Sequence, residues 1–163
     1  RTPNTPQPLP QPTHRTLSDA ATKPNAEQLS LSFNTPAASL FNNVPVEMVI
    51  VPGEDGFFGV MPNHVPTIAQ LKPGVVQVQE AQNGPLLKYF VSGGFAAIGE
   101  DSKLTITALE AALVDDLDAE AVKAGLAQYQ DAYAKATEDV AKSAAEIGVE
   151  VYQAMSYAIS DGS

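Results

Sequence analysis

The sequence predicts an α+β chain, an N-terminal β-sandwich (a flattened barrel) followed by a C-terminal antiparallel helical hairpin. Three features of the chain predict it. Apolar residues alternate at period 2 in several short runs between residues 25 and 114. Gly- and Pro-rich turns separate those runs. From residue 115 the apolar period changes to about 3.6 and alanine becomes dense.

Residues 1–24 hold six of the 13 prolines, at Pro3, Pro6, Pro8, Pro10, Pro12 and Pro24, and no Val, Ile or Phe. Proline has no N–H and a fixed φ, so this stretch is expected to be an extended or disordered tail. Its PxP spacing also suits an aromatic-lined groove. The first strand is expected in Glu27-Gln-Leu-Ser-Leu-Ser-Phe33, with Leu29, Leu31 and Phe33 on one face. Val44 to Val51 is a second apolar run, with Pro45 near its start, where proline is tolerated. Val76 and Val78 alternate with Gln77 and Gln79, and Gln82-Asn83-Gly84-Pro85 supplies the turn of a hairpin. Leu87, Tyr89 and Val91 alternate on the return strand, and Lys103 to Ala108 alternates again. In the helical segment 115–163, Asp118 is the expected N-cap of a first helix with Glu120 in its first turn. A break near 134–137 leads to a second helix expected to begin near Thr137. Val122, Leu126, Tyr129 and Tyr133 are expected to pack the hairpin from the first helix. Val140, Ile147, Val151 and Met155 are expected to do so from the second.

The chain has 163 residues and 44% hydrophobic content, enough to bury a core. Nine Lys+Arg against 19 Asp+Glu give a net charge of −10, which argues against nucleic acids and anionic lipid surfaces as partners. The charge is unevenly spread: +2 over residues 1–23, −5 over 24–110 and −7 over 111–163. With no cysteine, disulfides and thiolate metal sites are excluded. No apolar stretch approaches the roughly 20 residues of a membrane-spanning helix.

No constellation of residues supports catalysis, a bound cofactor or a metal. Gly94-Phe-Ala-Ala-Ile-Gly99 has glycines at phosphate-loop spacing, but Glu100 and Asp101 follow where lysine and a hydroxyl are required. Ser92 lacks the glycine that a nucleophile elbow needs at the position of Phe90. His64 is the one imidazole outside the tail, too little for a triad or a His-rich metal site. Asp115, Asp116, Asp118 and Glu120 lack calcium-loop spacing and read as helix N-terminal charges. From these residues alone the chain is a two-part acidic binding protein. A β-sandwich small-ligand module with a helical appendage stays open beside it, as does an enzyme built on His64.

The stretch from Val51 to Pro66, VPGEDGFFGVMPNHVP, reads as a tight series of turns in which several glycines need φ > 0. Pro52, Gly53, Gly59, Pro66, Pro73, Gly74, Gly93 and Gly94 are expected to define turns here and just beyond. This pattern, with Leu71-Lys-Pro-Gly74 and Val91-Ser-Gly-Gly-Phe95, resembles the small rotor subunit of F-type ATP synthases, called epsilon in bacteria and delta in mitochondria. The residues that match are Pro52, Gly53, Gly56, Phe58, Gly59, Val60, Pro62, His64, Pro66, Leu71, Pro73 and Gly74. The resemblance covers about residues 27–160 and keeps the order of sandwich and hairpin.

The resemblance implies a non-catalytic subunit that joins the gamma shaft to the membrane c-ring, so that proton-driven rotation drives ATP synthesis. It implies a c-ring-facing loop at Glu54, Asp55, Gly56 and Phe57, with Pro62, Asn63 and His64 nearby. Bacterial members often carry a carboxylate at the position of Phe57. Some bacterial members bind ATP through a D-x-x-R-A motif on the hairpin. Here the arginine position holds Ala121, which removes the phosphate's main electrostatic partner, so no nucleotide is expected. The non-Met start and Pro-rich extension look more like a processed mitochondrial chain. That implies a peripheral place on the matrix side of the inner membrane, and a small mitochondrial epsilon subunit as a further partner.

Overall fold

The computed structural model describes residues 28–161. The Pro-rich segment 1–24 of the sequence reading lies outside the described residues.

Period-2 runs become strands because alternate side chains can all reach one core. The strands are β1 (Leu29–Asn34), β2 (Ser39–Val46), β3 (Met48–Gly53), β4 (Gly56–Val60) and β5 (Thr67–Leu71). They continue with β6 (Gly74–Gln79), β7 (Leu86–Val91), β8 (Gly94–Ile98), β9 (Lys103–Ala108) and β10 (Ala111–Leu113). Their order is β10-β7-β6-β3-β5-β8-β9-β1-β2, with β4 on β3. Neighbours pair antiparallel except β1 and β9, which run parallel. β3 and β5 share the single pair Gly53↔Leu71. The path therefore folds there into two layers, β10-β7-β6-β3-β4 and β5-β8-β9-β1-β2. Leu29, Leu31, Phe33, Leu104 and Ile106 from one layer meet Val49, Val51, Val60, Val76 and Val78 from the other, all fully buried. At one end the parallel rings of Phe33 and Phe41 both meet Tyr89 edge to face, each at 5.7 Å.

The apolar run 44–51 is two strands, not one. Alternation fails at Glu47 because the chain crosses there from one layer to the other, and the Glu47 N–H donates to the Gln79 carbonyl at 2.8 Å. The stretch read as a series of turns contains β4. Pro52, Gly53, Gly59 and Gly74 are strand residues, Pro66 lies in the exposed β4–β5 loop, and Pro73 sits at the bend before β6. Of the glycines in 51–66, only Gly56 has positive φ. Gly53 serves close packing, since a Cβ there would stand 2.9 Å from the Phe58 ring, and so does Gly74, where one would stand 2.8 Å from the Pro52 Cβ. Between β6 and β7 the left-handed residue is Asn83 (φ 59°), not Gly84. Asn43 and Asn63 adopt the same conformation, which their short polar side chains tolerate. Gly93 lies in the bend between β7 and β8 and Gly94 opens β8, both with positive φ.

A 3₁₀ turn, Val114–Asp116, leads to α1 (Ala119–Lys135) and α2 (Asp139–Asp161). Asp118 caps α1, its Oδ1 accepting from the N–H groups of Glu120 at 2.9 Å and Ala121 at 3.2 Å. These bonds satisfy donors that the first turn leaves open. α2 begins two residues later than Thr137, the expected start.

A Cβ on Gly94 would meet the carbonyl oxygen of Thr107 and the Cα of Ala108, both backbone atoms that cannot swing aside. Gly94→Ala is expected to lower stability by about 2–4 kcal/mol, read as a lower urea midpoint at unchanged m. Burial first, and the Glu80 carboxylate second, push the Tyr89 phenol above its ordinary value. The folded chain thus holds this proton more tightly than the unfolded chain. The stability it contributes is intact below about pH 10 and is lost as pH rises through the raised value. In urea titrations from about pH 9 to 11, Tyr89→Phe is expected to reduce the alkaline loss of stability.

Candidate functional site

Among the described residues no three His, Asp or Glu side chains gather closely enough to hold a metal ion.

The residues expected to form one loop face fall at two places. Glu54 and Asp55 form the tip of the β3–β4 hairpin, both exposed, with Gly53 and Gly56 paired beneath them. The Glu54 N–H donates to the Gln70 carbonyl at 3.1 Å, which ties the tip to β5. Phe57 follows, 62% exposed, and points toward α2. Pro62, Asn63 and His64 lie beyond the other end of β4, five residues and about 15 Å of strand away. There the Asn63 N–H donates to the Ser102 hydroxyl at 2.9 Å, and His64 Nδ1 donates to the Val65 carbonyl at 2.8 Å. The His64 ring leans back on Phe58, with centroids 6.3 Å apart. The seven residues therefore do not make one surface. The hairpin turn and the β4–β5 loop open at opposite ends of β4.

A second surface was missed in the sequence. On the outer face of one layer, register aligns Ile68, Ala97, Thr105 and Ser32 in one row. It aligns Gln70, Phe95, Thr107 and Asn34 in the next. None of the eight is charged. Ile68 is 81% exposed and Phe95 56%; Val65, just before β5, and Leu109, just after β9, are exposed as well. The available signal was the absence of Lys, Glu or Asp at outward positions of β5 and β8. That signal cannot be read until the strands and their register are known.

The hairpin packs through small residues. Gly125 lies against the Tyr152 ring and Gly148 against the Tyr129 ring, so each helix offers a glycine to the other's tyrosine. The two rings meet at 5.4 Å. Val122 is buried and Leu126 half-buried. Val151 and Met155 pack with Ala154 and Ala158 onto Phe90, Val75 and Val114, and so attach α2 to the sandwich. Tyr133 is partly exposed and takes the Lys142 ammonium over its ring at 5.3 Å. Val140 and Ile147 stand 82% and 62% exposed, contrary to the expected stripe. The reason is a rotation of α2 that turns Ala145, Gly148 and Tyr152 inward, because backbones can approach closely only where side chains are small.

The family model for the ATP synthase delta/epsilon chain beta-sandwich domain matches residues 28–114. The mitochondrial ATP synthase F(1) complex subunit delta of Dictyostelium discoideum is 45% identical over 133 residues, covering 82% of this chain and 78% of that one. The mitochondrial ATP synthase subunit delta of Yarrowia lipolytica is 41% identical over 133 residues, 82% of this chain and 81% of that one. Among solved structures, a chain of the Euglena gracilis mitochondrial ATP synthase (OSCP/F1/c-ring) superposes with a TM-score of 0.75 at 22% identity, covering 96% of this chain and 99% of that one. A chain of the Tetrahymena thermophila central stalk/c-ring structure superposes at 0.56 and 14% identity, covering 80% and 96%. The two structures share the fold.

Gly148→Ala is expected to force the Tyr129 ring away and cost the hairpin about 1–3 kcal/mol. Hydrogen exchange should quicken in α1 and α2 while the sandwich strands keep their protection.

Proposed function

The chain belongs to the ATP synthase delta/epsilon family, and on that premise we propose that it couples the gamma shaft to the c-ring within the central stalk as a non-catalytic rotor subunit. It is a stalk subunit of the enzyme. The observation that carries the finer reading is the uncharged outer strip of β5, β8, β9 and β1, on a chain whose net charge is −10. Charged residues are depleted at the centre of protein interfaces, and a face without them suits a lasting contact. We assign it to gamma. Val140 and Ile147 leave a second apolar flank on α2, suited to a small mitochondrial epsilon subunit.

Transmitting torque requires a body that does not deform under load. The sandwich supplies one, since its two layers share a core of fully buried residues packed across both sheets. For the c-ring contact we assign the hairpin tip, Glu54 and Asp55, because it projects from that body on a short two-residue turn. Pro62, Asn63 and His64, at the other end of β4, belong to a separate contact. Ala121 lies exposed in the first turn of α1, so no cation stands where bacterial members hold ATP phosphate, and nucleotide binding by that motif is not part of this reading. The proposed place is the matrix side of the mitochondrial inner membrane. The association proposed is peripheral, through the complex; among the described residues no helix is long and apolar enough to cross a membrane.

Native mass spectrometry of the gently purified enzyme is expected to find one copy of this chain with gamma. Recovery only as a free monomer, or with a bound small molecule, would favour the ligand-binding sandwich. Ile68→Asp with Phe95→Asp places two charges on the strip without touching the core. This variant is expected to keep the wild-type stability within about 2 kcal/mol while losing co-purification with gamma. Retained co-purification would remove gamma from that face.

A further inference from the structure

Asn83 is the only asparagine in the sequence that glycine follows. It stands exposed in the turn between β6 and β7, in the left-handed conformation at φ 59°. We propose that Asn83–Gly84 is a site of spontaneous covalent modification, at which Asn83 converts to aspartate and isoaspartate through a cyclic imide.

The chemistry needs only the two residues and water. Hydroxide takes the proton of the Gly84 nitrogen, which then attacks Cγ of Asn83. The N–Cγ bond forms, the Cγ–Nδ2 bond breaks, and Nδ2 leaves as ammonia. Water opens the imide at either carbonyl. Opening at Cγ gives aspartate, and opening at the main-chain carbonyl carbon gives isoaspartate. Nothing is oxidised or reduced. Asparagine is chemically labile in general, but a Cβ on the next residue crowds the attacking nitrogen, and Gly84 has none.

The fold singles out this asparagine. The Gly84 N–H donates to the Ala81 carbonyl at 2.8 Å, so the nitrogen is freed when the turn opens. That opening is local, because residues 80–85 lie between the strands and belong to neither. The other described asparagines are held more firmly. Asn34 lies in β1, and Asn42 and Asn43 lie in β2, where the Asn43 N–H donates to the Ser32 hydroxyl at 3.2 Å. Asn63 is tied to Ser102, and the nitrogen that would attack it belongs to His64, which donates to the Met61 carbonyl at 3.2 Å. The turn is also remote from the Glu54–Asp55 tip. Gln79 pairs with Met48 at the start of β3, whereas the tip follows Gly53 at its end. Conversion places a carboxylate in the same turn as Glu80. Isoaspartate also lengthens the main chain, which displaces the Gly84 carbonyl from the Gln79 amide that donates to it at 3.4 Å.

The test is to age the full folded chain for weeks in neutral buffer and map its peptides by mass spectrometry, with fragmentation that separates isoaspartate from aspartate. Asn83 is expected to convert several-fold faster than Asn34, Asn42, Asn43 or Asn63, and to give both products. Asn83→Gly keeps access to positive φ but has no side-chain carbonyl. The aged wild type is expected to gain a more acidic form on ion exchange, and the aged variant to gain several-fold less of it. An unmodified Asn83, conversion as fast at another described asparagine, aspartate with no isoaspartate, or an equal acidic yield from Asn83→Gly would each overturn the proposal.

Discussion

The close approach of β8 to β9 at Gly94 is the constraint on which the rest of the molecule depends. Gly94 pairs with Leu71 on one side and with Ala108 on the other, at φ 152°, with the Thr107 carbonyl where a Cβ would stand. Any side chain at that point would push against backbone atoms, so glycine there favours one register of the three strands. A slip of one residue would exchange the faces of every side chain on β8. Ala96 and Ile98 would leave the core, and Phe95 and Ala97 would enter it. The uncharged outer strip exists because this slip is disfavoured.

The hairpin is held by a different physics. Its internal contact is a reciprocal fit of two glycines and two tyrosines, which brings the helix backbones close and stacks the rings at 5.4 Å. Its attachment to the sandwich is a small apolar patch of Phe90, Val114 and Ala158 with their neighbours. The internal contact runs along the helices, while the attachment involves only the later part of α2. The two helices are therefore coupled more tightly to each other than to the sandwich. The 3₁₀ turn at Val114–Asp116 and the Asp118 cap set where α1 starts relative to the sandwich.

Charge and apolarity divide the surface between these parts. The helices concentrate negative charge, with three lysines against ten acids over residues 111–163. The outer strip of the second layer has none. Such a division suits a subunit held between unlike neighbours, since an uncharged face loses little on desolvation and a charged face keeps wrong partners away.

Much of this was legible in the sequence. Period 2 and period 3.6 locate β1, β6, β7, β9 and the two helices, because burying one face of a strand or helix forces that spacing locally. Asp118 as an N-cap is equally local, since its partners lie two and three residues away. The motif from Pro52 to Pro66 identified the family, whose turns and close contacts need Gly and Pro at fixed places. Tertiary structure decided what depends on distant neighbours. It made strand residues of Pro52, Gly53, Gly59 and Gly74, and what Gly53 and Gly74 must avoid there, the Phe58 ring and Pro52, is set by pairing and packing. It separated Glu54 from His64 by the length of β4. It turned Val140 and Ile147 outward, because the glycines that let the helices approach lie on another stripe. Above all it assembled the strip of Ile68 and Phe95 from four strands, two of them absent from the periodic reading. Alternation states that a strand has two faces, and only the register with its neighbours decides what each face meets.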